Sequence, residues 1–276
     1  MLYLIGTPIG NMGDISSRAA EVLNAVDYIA CEDTRVTGIL LKKIGAADKK
    51  LISYHEHNKA SKGPEIIGLL KDGFDVAQVS DAGMPAISDP GEDLVALCIR
   101  EGLDLTVIPG PVAAVTALVM SGLSTRYYHF EGFLPSTGSE RRKRIEKLRG
   151  FDETIVLYEA PHRLKKLLSE LEEAGFGECR AAFCRELTKR YEQVIRLTVS
   201  EAVSYYEQNE PKGEFVVCLE PLKEKNEPVD DALIDEQILS MRDSGMSVKQ
   251  ISGILSENTG ISKKEMYRRV LNLLKS

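Results

Sequence analysis

Short apolar runs alternate with segments whose apolar positions recur every three or four residues, and the alternation continues from Leu2 to Leu219. This is the pattern of an α/β protein, with strands read from the runs and amphipathic helices from the 3.6-residue period. In the first half the pattern predicts strands over 2–5, 28–31, 50–53, 75–79 and 105–108. Helices are predicted between them over 15–25, 36–44, 63–71 and 92–100. The second half predicts helices over 113–120, 139–148, 163–174 and 201–207. Its strands fall over 127–133, 154–158, 180–184, 193–198 and 214–219. The later strands lack long intervening helices, so antiparallel pairing is expected there. Residues 222–231 are charged, proline-bearing and without apolar periodicity, and read as a linker. Three helical segments follow within 232–276, at 232–243, 247–257 and 262–275.

Composition adds the class of environment. The chain is 43% hydrophobic and 28% charged, ordinary for a protein with a sizeable core. No apolar run approaches the ~20 residues of a membrane span, and the N-terminus lacks the basic stretch of a signal peptide. The five cysteines are scattered, with no C-x-x-C pair, which argues against a disulfide framework and a structural zinc site. A reducing cytoplasm is expected. The formal net charge of −7 is unevenly spread: residues 140–149 and 246–276 each hold six basic and two acidic groups. An acidic body with two basic outcrops can repel a polyanion broadly while holding it at chosen places; solvated helix faces are the plainer explanation.

Three glycine- and proline-rich loops follow the C-terminal ends of predicted strands, where open α/β sheets bind ligands. They are Gly6-Thr7-Pro8-Ile9-Gly10-Asn11, Ser80 to Gly91, and Pro109 to Ala114. The first reads G-x-x-x-G rather than G-x-G-x-x-G, and no G-x-x-x-x-G-K-[ST] occurs, so a nicotinamide dehydrogenase and a P-loop nucleotide triphosphatase both lose ground.

These loops belong to a longer ordered set: G-T-P-I-G-N (6–11), E-D-T-R (32–35), Y-H-E-H-N (54–58), D-A-G-M-P-A-I-S-D-P-G (81–91), P-G-P (109–111), F-E-G-F-L-P (130–135), Y-E-A-P-H-R-L (158–164), C-R-E-L-T-K (184–189) and G-E-F-V-V (213–217). The set resembles the tetrapyrrole-methylase fold, and more narrowly the 16S rRNA (cytidine-2′-O)-methyltransferases of that fold. The resemblance implies two α/β domains, here 1–115 and 116–221, with S-adenosyl-L-methionine in the cleft between them. It implies a homodimer acting on 16S rRNA, within the 30S subunit, and no need of a metal or a membrane. Carried over position by position, the cofactor residues are Pro8, Ser80, Asp81, Ala82, Gly83, Ile87, Val112, Ala113, Glu159, Gly213 and Glu214. Met84 and Val112 depart from the usual threonine and serine, so backbone contacts are expected there.

A ribose hydroxyl needs a base to become a nucleophile. Asp81, Glu32, Asp33, Glu159, His162 and Lys189 fall in or beside the motifs, with Asp81 or Glu159 favoured; Glu32 and Arg35 pairing within their own loop is the structural alternative. His55 and His57 alternate without further ligands nearby, so hydrogen bonding is favoured over metal binding. Phosphate contacts are expected from Arg141, Arg142, Lys143 and Arg144, and from Lys263, Lys264, Arg268 and Arg269 in the tail, whose capped helices have helix-turn-helix spacing. A tail that only props a dimer is the alternative. Two further readings compete for the whole chain: a methylase of tetrapyrrole precursors, disfavoured by the basic outcrops, and a non-catalytic RNA-binding regulator, disfavoured by the intact loops.

Overall fold

A computed structural model describes residues 1–46, 48–222, 231–259 and 261–274. Five short strands, β1 (Leu2–Ile5), β2 (Tyr28–Cys31), β3 (Lys50–Ser53), β4 (Val76–Val79) and β5 (Leu105–Ile108), form a parallel sheet in the order β3-β2-β4-β1-β5. Helices α1 (Ser17–Ala25), α2 (Thr34–Lys43), α3 (Lys59–Lys71) and α4 (Glu92–Arg100) make the crossovers that parallel strands require. Two apolar clusters accompany the sheet, one around Leu2, Leu4 and Ile66 and one around Ile5, Leu23 and Ile29. Burial on both faces explains why β4, Val-Ala-Gln-Val, reads as a continuous run rather than an alternation.

A second sheet has the order β6-β7-β10-β8-β9 and joins β6 (Tyr128–Phe133), β7 (Thr154–Glu159), β8 (Arg180–Arg185), β9 (Gln193–Thr198) and β10 (Phe215–Leu219). Only β6 and β7 are parallel; the remaining pairs are antiparallel, as the missing crossover helices foretold. Helices α6 (Gly138–Leu148), α7 (Pro161–Leu171) and α8 (Val199–Gln208) belong with this sheet, whose largest cluster includes Leu148, Leu164, Leu168, Phe183 and Val217. Helix α5 (Ala113–Ser121) packs Ala114, Ala117 and Leu118 with Val156, Ala182, Cys184 and Val216 of the same sheet. The expected division at 115/116 therefore falls inside a helix.

Local chemistry sets the helix starts. Ser16 caps α1 by accepting from the Ala19 amide, and Thr198 and Glu201 form a reciprocal capping box on α8. Helix α7 starts at Pro161, two residues before the periodicity predicts, because proline at the first helical position loses no needed amide. Helix α3 starts at Lys59 rather than 63. Its first turn carries no apolar signal, and Asn58 fixes the entry by bonding the His55 amide and the Ser53 carbonyl.

The chain divides into two compact units, residues 1–222 and 223–276. In the second, α9 (Asp231–Asp243), α10 (Val248–Thr259) and α11 (Lys263–Leu273) bury Ile234, Ile238, Ile251, Leu255, Met266 and Val270 in a core of their own. The linker read over 222–231 falls largely outside the described residues. Because each unit has its own core, removing residues 223–276 should leave 1–222 folded with nearly unchanged thermal stability. Aggregation of the shortened chain on purification would show that the first unit depends on the second.

Candidate functional site

The three loops singled out in the sequence follow β1, β4 and β5, which are neighbouring strands of the parallel sheet. Sheet order thus gathers segments far apart in the chain along one edge. The first two loops are stitched by a bridge in which the Thr7 amide donates to the Gly83 carbonyl (2.9 Å) and the Gly83 amide to that of Thr7 (3.1 Å). The first and third touch backbone to backbone: a Cβ on Gly6 would lie 2.6 Å from the Gly110 Cα and equally close to the Met84 sulfur. Beneath the second loop, buried Gln78 donates to the Pro90 carbonyl at 2.7 Å, holding the loop's far end against β4.

The opposing wall comes from the second sheet, where Phe215 at the start of β10 pairs with Glu159 at the end of β7 and Arg185 at the end of β8. Between the walls is a cavity of about 350 Å³. Asp81, Ala82, Gly83, Met84, Ile87, Ser88 and Asp89 line one side; Phe133, Tyr158, Glu159, Glu214 and Phe215 are among those lining the rest, with Val112 and Ala113 of the third loop. Among the described residues, non-glycine residues with left-handed backbone are Ala86 (φ 67°), Ser88 (63°), Glu186 (50°) and Thr188 (63°). All four lie in loops at this region, and such strain concentrates where the surroundings hold a loop for a purpose.

Of the residues expected to bind a cofactor, Asp81, Ala82, Gly83, Ile87, Val112, Ala113, Glu159 and Glu214 line the cavity. Ser80 lies buried beneath the loop, its hydroxyl 3.3 Å from the Gly83 carbonyl. Pro8 and Gly213 are not in the wall. Gly213, at φ 83°, makes room for Glu186, whose Cγ would lie 2.6 Å from a Cβ there.

Four carboxylates gather beside the second loop. Asp33 is held down to about 2 by its hydrogen bonds with Arg35, its 2.6 Å ion-pair partner. Arg35 therefore pairs with Asp33, not with Glu32. Asp81, whose Oδ1 accepts from the Asp33 amide at 3.1 Å, is raised by burial and by the Asp33 charge. Glu32 is raised too, by burial first and then by Asp81. The largest effect falls on Asp89, which sequence reasoning missed. Burial, then repulsion from Glu32 and Asp81, pushes it up to about 6 even though Ser80 offsets part of the rise. A carboxyl tuned toward neutrality on a cavity wall is suited to accept a proton. Its place in a ligand-lining motif was the available signal; its neighbours, set by strand order, were not.

The other base candidates fare differently. Glu159 is 2% exposed and sits between Arg141 (3.6 Å) and Arg163 (3.0 Å), while its Oε1 accepts from the Ala160 amide. It anchors α6 and α7 to β7, so its side chain is a strut rather than a proton acceptor. Burial would lower Lys189, but Glu214 and Glu186 outweigh it and the ammonium ends up raised. His162 is exposed and does not line the cavity, although its neighbour Pro161 does. The rings of His55 and His57 stand 6.0 Å apart, and among the described residues no group of three or more His, Cys, Asp or Glu side chains is placed to hold a metal ion.

The basic outcrops split in two. Arg141 is only 1% exposed; it donates to Glu170 at 2.7 Å and to the Pro135 carbonyl at 3.0 Å, so it cannot reach a phosphate. Removing one partner from such a buried network typically costs about 3–5 kcal/mol. Arg144 grips Glu131 with two nitrogens, at 2.6 and 2.5 Å. In the tail, Arg269 is drawn onto Asp235 at 2.8 Å and onto Asp231. Arg142, Lys143, Lys263, Lys264 and Arg268 are exposed. Arg141, Arg144 and Arg269 share a feature: each sits on a helix whose neighbour presents a carboxylate from another element.

Comparison with known proteins agrees with this architecture. Residues 1–203 match the model of the Tetrapyrrole (Corrin/Porphyrin) Methylases. The chain is 48% identical over 227 residues to the ribosomal RNA small subunit methyltransferase I of Halalkalibacterium halodurans, covering 82% of this chain and 78% of that one. It is 40% identical over 274 residues to the protein of the same name from Synechocystis sp., covering 99% and 98%. Among solved structures it resembles uroporphyrin-III C-methyltransferase from Thermus thermophilus complexed with S-adenyl homocysteine. That likeness has a TM-score of 0.56 at 17% identity, over 79% of this chain and 96% of the other, and speaks for the fold.

Proposed function

The chain belongs to the tetrapyrrole (corrin/porphyrin) methylase family, and we propose that it is an S-adenosyl-L-methionine-dependent methyltransferase acting on the ribose 2′-hydroxyl of a cytidine in 16S rRNA of the small subunit. The observation that carries this reading is the meeting of the strained 81–91 loop, with Asp89, and the ends of β7 and β10 around one cavity. The relatives' names, shared at 40–48% identity, favour ribosomal RNA over a tetrapyrrole as substrate. The reading places the protein in the cytoplasm and makes it a homodimer, to which the exposed Val115 and Val119 offer apolar contacts.

The cavity fits the cofactor by its chemistry. Ala82, Gly83 and Ala113 leave main-chain groups approachable, and Gly83 at φ 89° has only Ile9 and Pro111 near its missing Cβ. When bound there, S-adenosyl-L-methionine supplies an electrophilic methyl group on a sulfonium. The protein contributes position, because in-line displacement depends on holding the attacking oxygen close and aligned. Asp89 accepts the hydroxyl proton as the oxygen attacks. Asp81 and Glu32 raise its basicity by repulsion, and Val112 and Tyr158 add low-polarity wall to the same cavity.

The direct test uses small subunits lacking the modification. Labelled methyl should pass from cofactor to RNA, and nuclease mapping should place it on one cytidine ribose. Label on a base, or on a tetrapyrrole precursor only, would defeat the reading.

Exposed Arg142 and Lys143 are assigned to phosphate contacts, with Lys263, Lys264 and Arg268 on the tail. Converting Arg142 and Lys143 to glutamate should weaken binding to the small subunit and leave cofactor affinity unchanged. Each lost phosphate contact should reduce the slope of log affinity against log salt by about 0.7–0.9. Identical slopes in the two proteins would mean that this face of α6 meets only solvent.

A further inference from the structure

Phe133 is large, apolar and 55% exposed, yet it lines the cavity. Its aim comes from an irregularity in β6. Along the β6–β7 pair, Phe130 matches Val156, and the next matched residues are Gly132 with Leu157 and Phe133 with Tyr158. Glu131 is the extra residue of a bulge. In a regular strand, residues three apart point to opposite faces. The bulge cancels one step, so Phe130 and Phe133 share the face of Val156 and Tyr158, the face that meets α5 and the cavity. Bulges re-aim side chains in this way beside functional sites.

Three contacts hold the bulge. The Glu131 carboxylate accepts from Nε and Nη2 of Arg144 and lies 3.0 Å from His129 Nε2. Gly132 adopts φ 68°, and a Cβ there would meet the Ser88 hydroxyl at 2.9 Å, so β6 abuts the second loop at this point. Tyr158 then supports Phe133 from behind, with ring centroids 5.4 Å apart. The result is an aromatic face that is braced on one side and open on the other.

We propose that Phe133 is a stacking platform for the nucleobase of the nucleotide whose ribose is methylated, a proposal that rests on the RNA reading above. Proteins that read unpaired RNA splay bases onto such rings. The cofactor's own adenine is the competing occupant. Two features favour the substrate base: Phe133 is 55% exposed although it lines the cavity, and the chain runs directly from it into α6, which carries the exposed Arg142 and Lys143. Base platform and phosphate contacts thereby come from one segment.

The test compares wild type, Phe133→Ala, Phe133→Leu and Phe133→Trp, using labelled methyl transfer to unmodified small subunits and calorimetry of cofactor binding. Stacking losses of the usual size predict that kcat/KM for the particle falls about 5- to 150-fold in the alanine variant. Leucine should recover little, tryptophan most of the activity, and cofactor affinity should not move. Unchanged kcat/KM in Phe133→Ala, full rescue by leucine, or a matching loss of cofactor affinity would each overturn the stacking role while leaving the functional reading intact. A wild-type protein that transfers no methyl to RNA would instead remove the reading on which the role rests.

Discussion

Asp89→Asn is expected to slow methyl transfer by about 10²- to 10⁴-fold, the usual worth of a positioned general base. The substitution keeps size and an acceptor oxygen while removing the ability to take a proton. Calorimetry should find cofactor binding preserved. The pH profile supplies a second check. The carboxylate is the active form, and burial with repulsion from Glu32 and Asp81 raises its titration from 3.8 to about 6. Wild-type kcat/KM should therefore fall as pH drops through about 6, tenfold per unit below it, and be constant above. The residual rate of the asparagine variant should lack this limb. A wild-type limb near pH 4, or the same limb in the variant, would take the proton-accepting role from Asp89.

Gly83→Arg should bring cofactor binding below calorimetric detection without unfolding the protein. Gly83 is buried at φ 89° on the cavity wall, and a Cβ there would sit 3.4 Å from Ile9 and 3.6 Å from the Pro111 carbonyl. Those contacts are ordinary, so the remainder of an arginine side chain has the cavity as its available space. The left-handed backbone costs about 1–3 kcal/mol for any side chain. Gly83→Ala is the control, sharing that strain without filling the cavity. Comparable losses in both variants would assign the effect to the backbone; full affinity in the arginine variant would move the cofactor away from this wall.

The elements were readable because their causes are local. Apolar runs marked strands such as Leu105–Ile108 to the residue, whereas the starts of α1 and α8, fixed by the caps Ser16 and Thr198, were read at 15 and 201. The three loops were recognisable for the same reason, each following an apolar run. Strand order was not readable, and it decides what faces what. It sets Glu32 beside Asp89, and so the tuning of a residue that the motif contained but did not distinguish. The basic segment 140–149 shows the same limit. Periodicity gave the helix, but Arg141 is claimed by Glu170 and Glu159, and Arg144 by Glu131, all on other elements. Gly132 was the sole local hint of the bulge that turns Phe133.

The central position of β10 in the second sheet also shapes how the molecule is made. β10 lies between β7 and β8, although it is the last of the sheet's strands in the chain. During synthesis the first sheet has all its strands once Ile108 has emerged, and it can close early. The second cannot: until Leu219 is available, β7 and β8 each present an unpaired edge, and the pairings that close the gap join segments far apart in sequence. A nascent chain halted before this point would carry an open seam able to accept another strand. A pause in translation before β10 has emerged should therefore favour aggregation, whereas one after its emergence should be harmless.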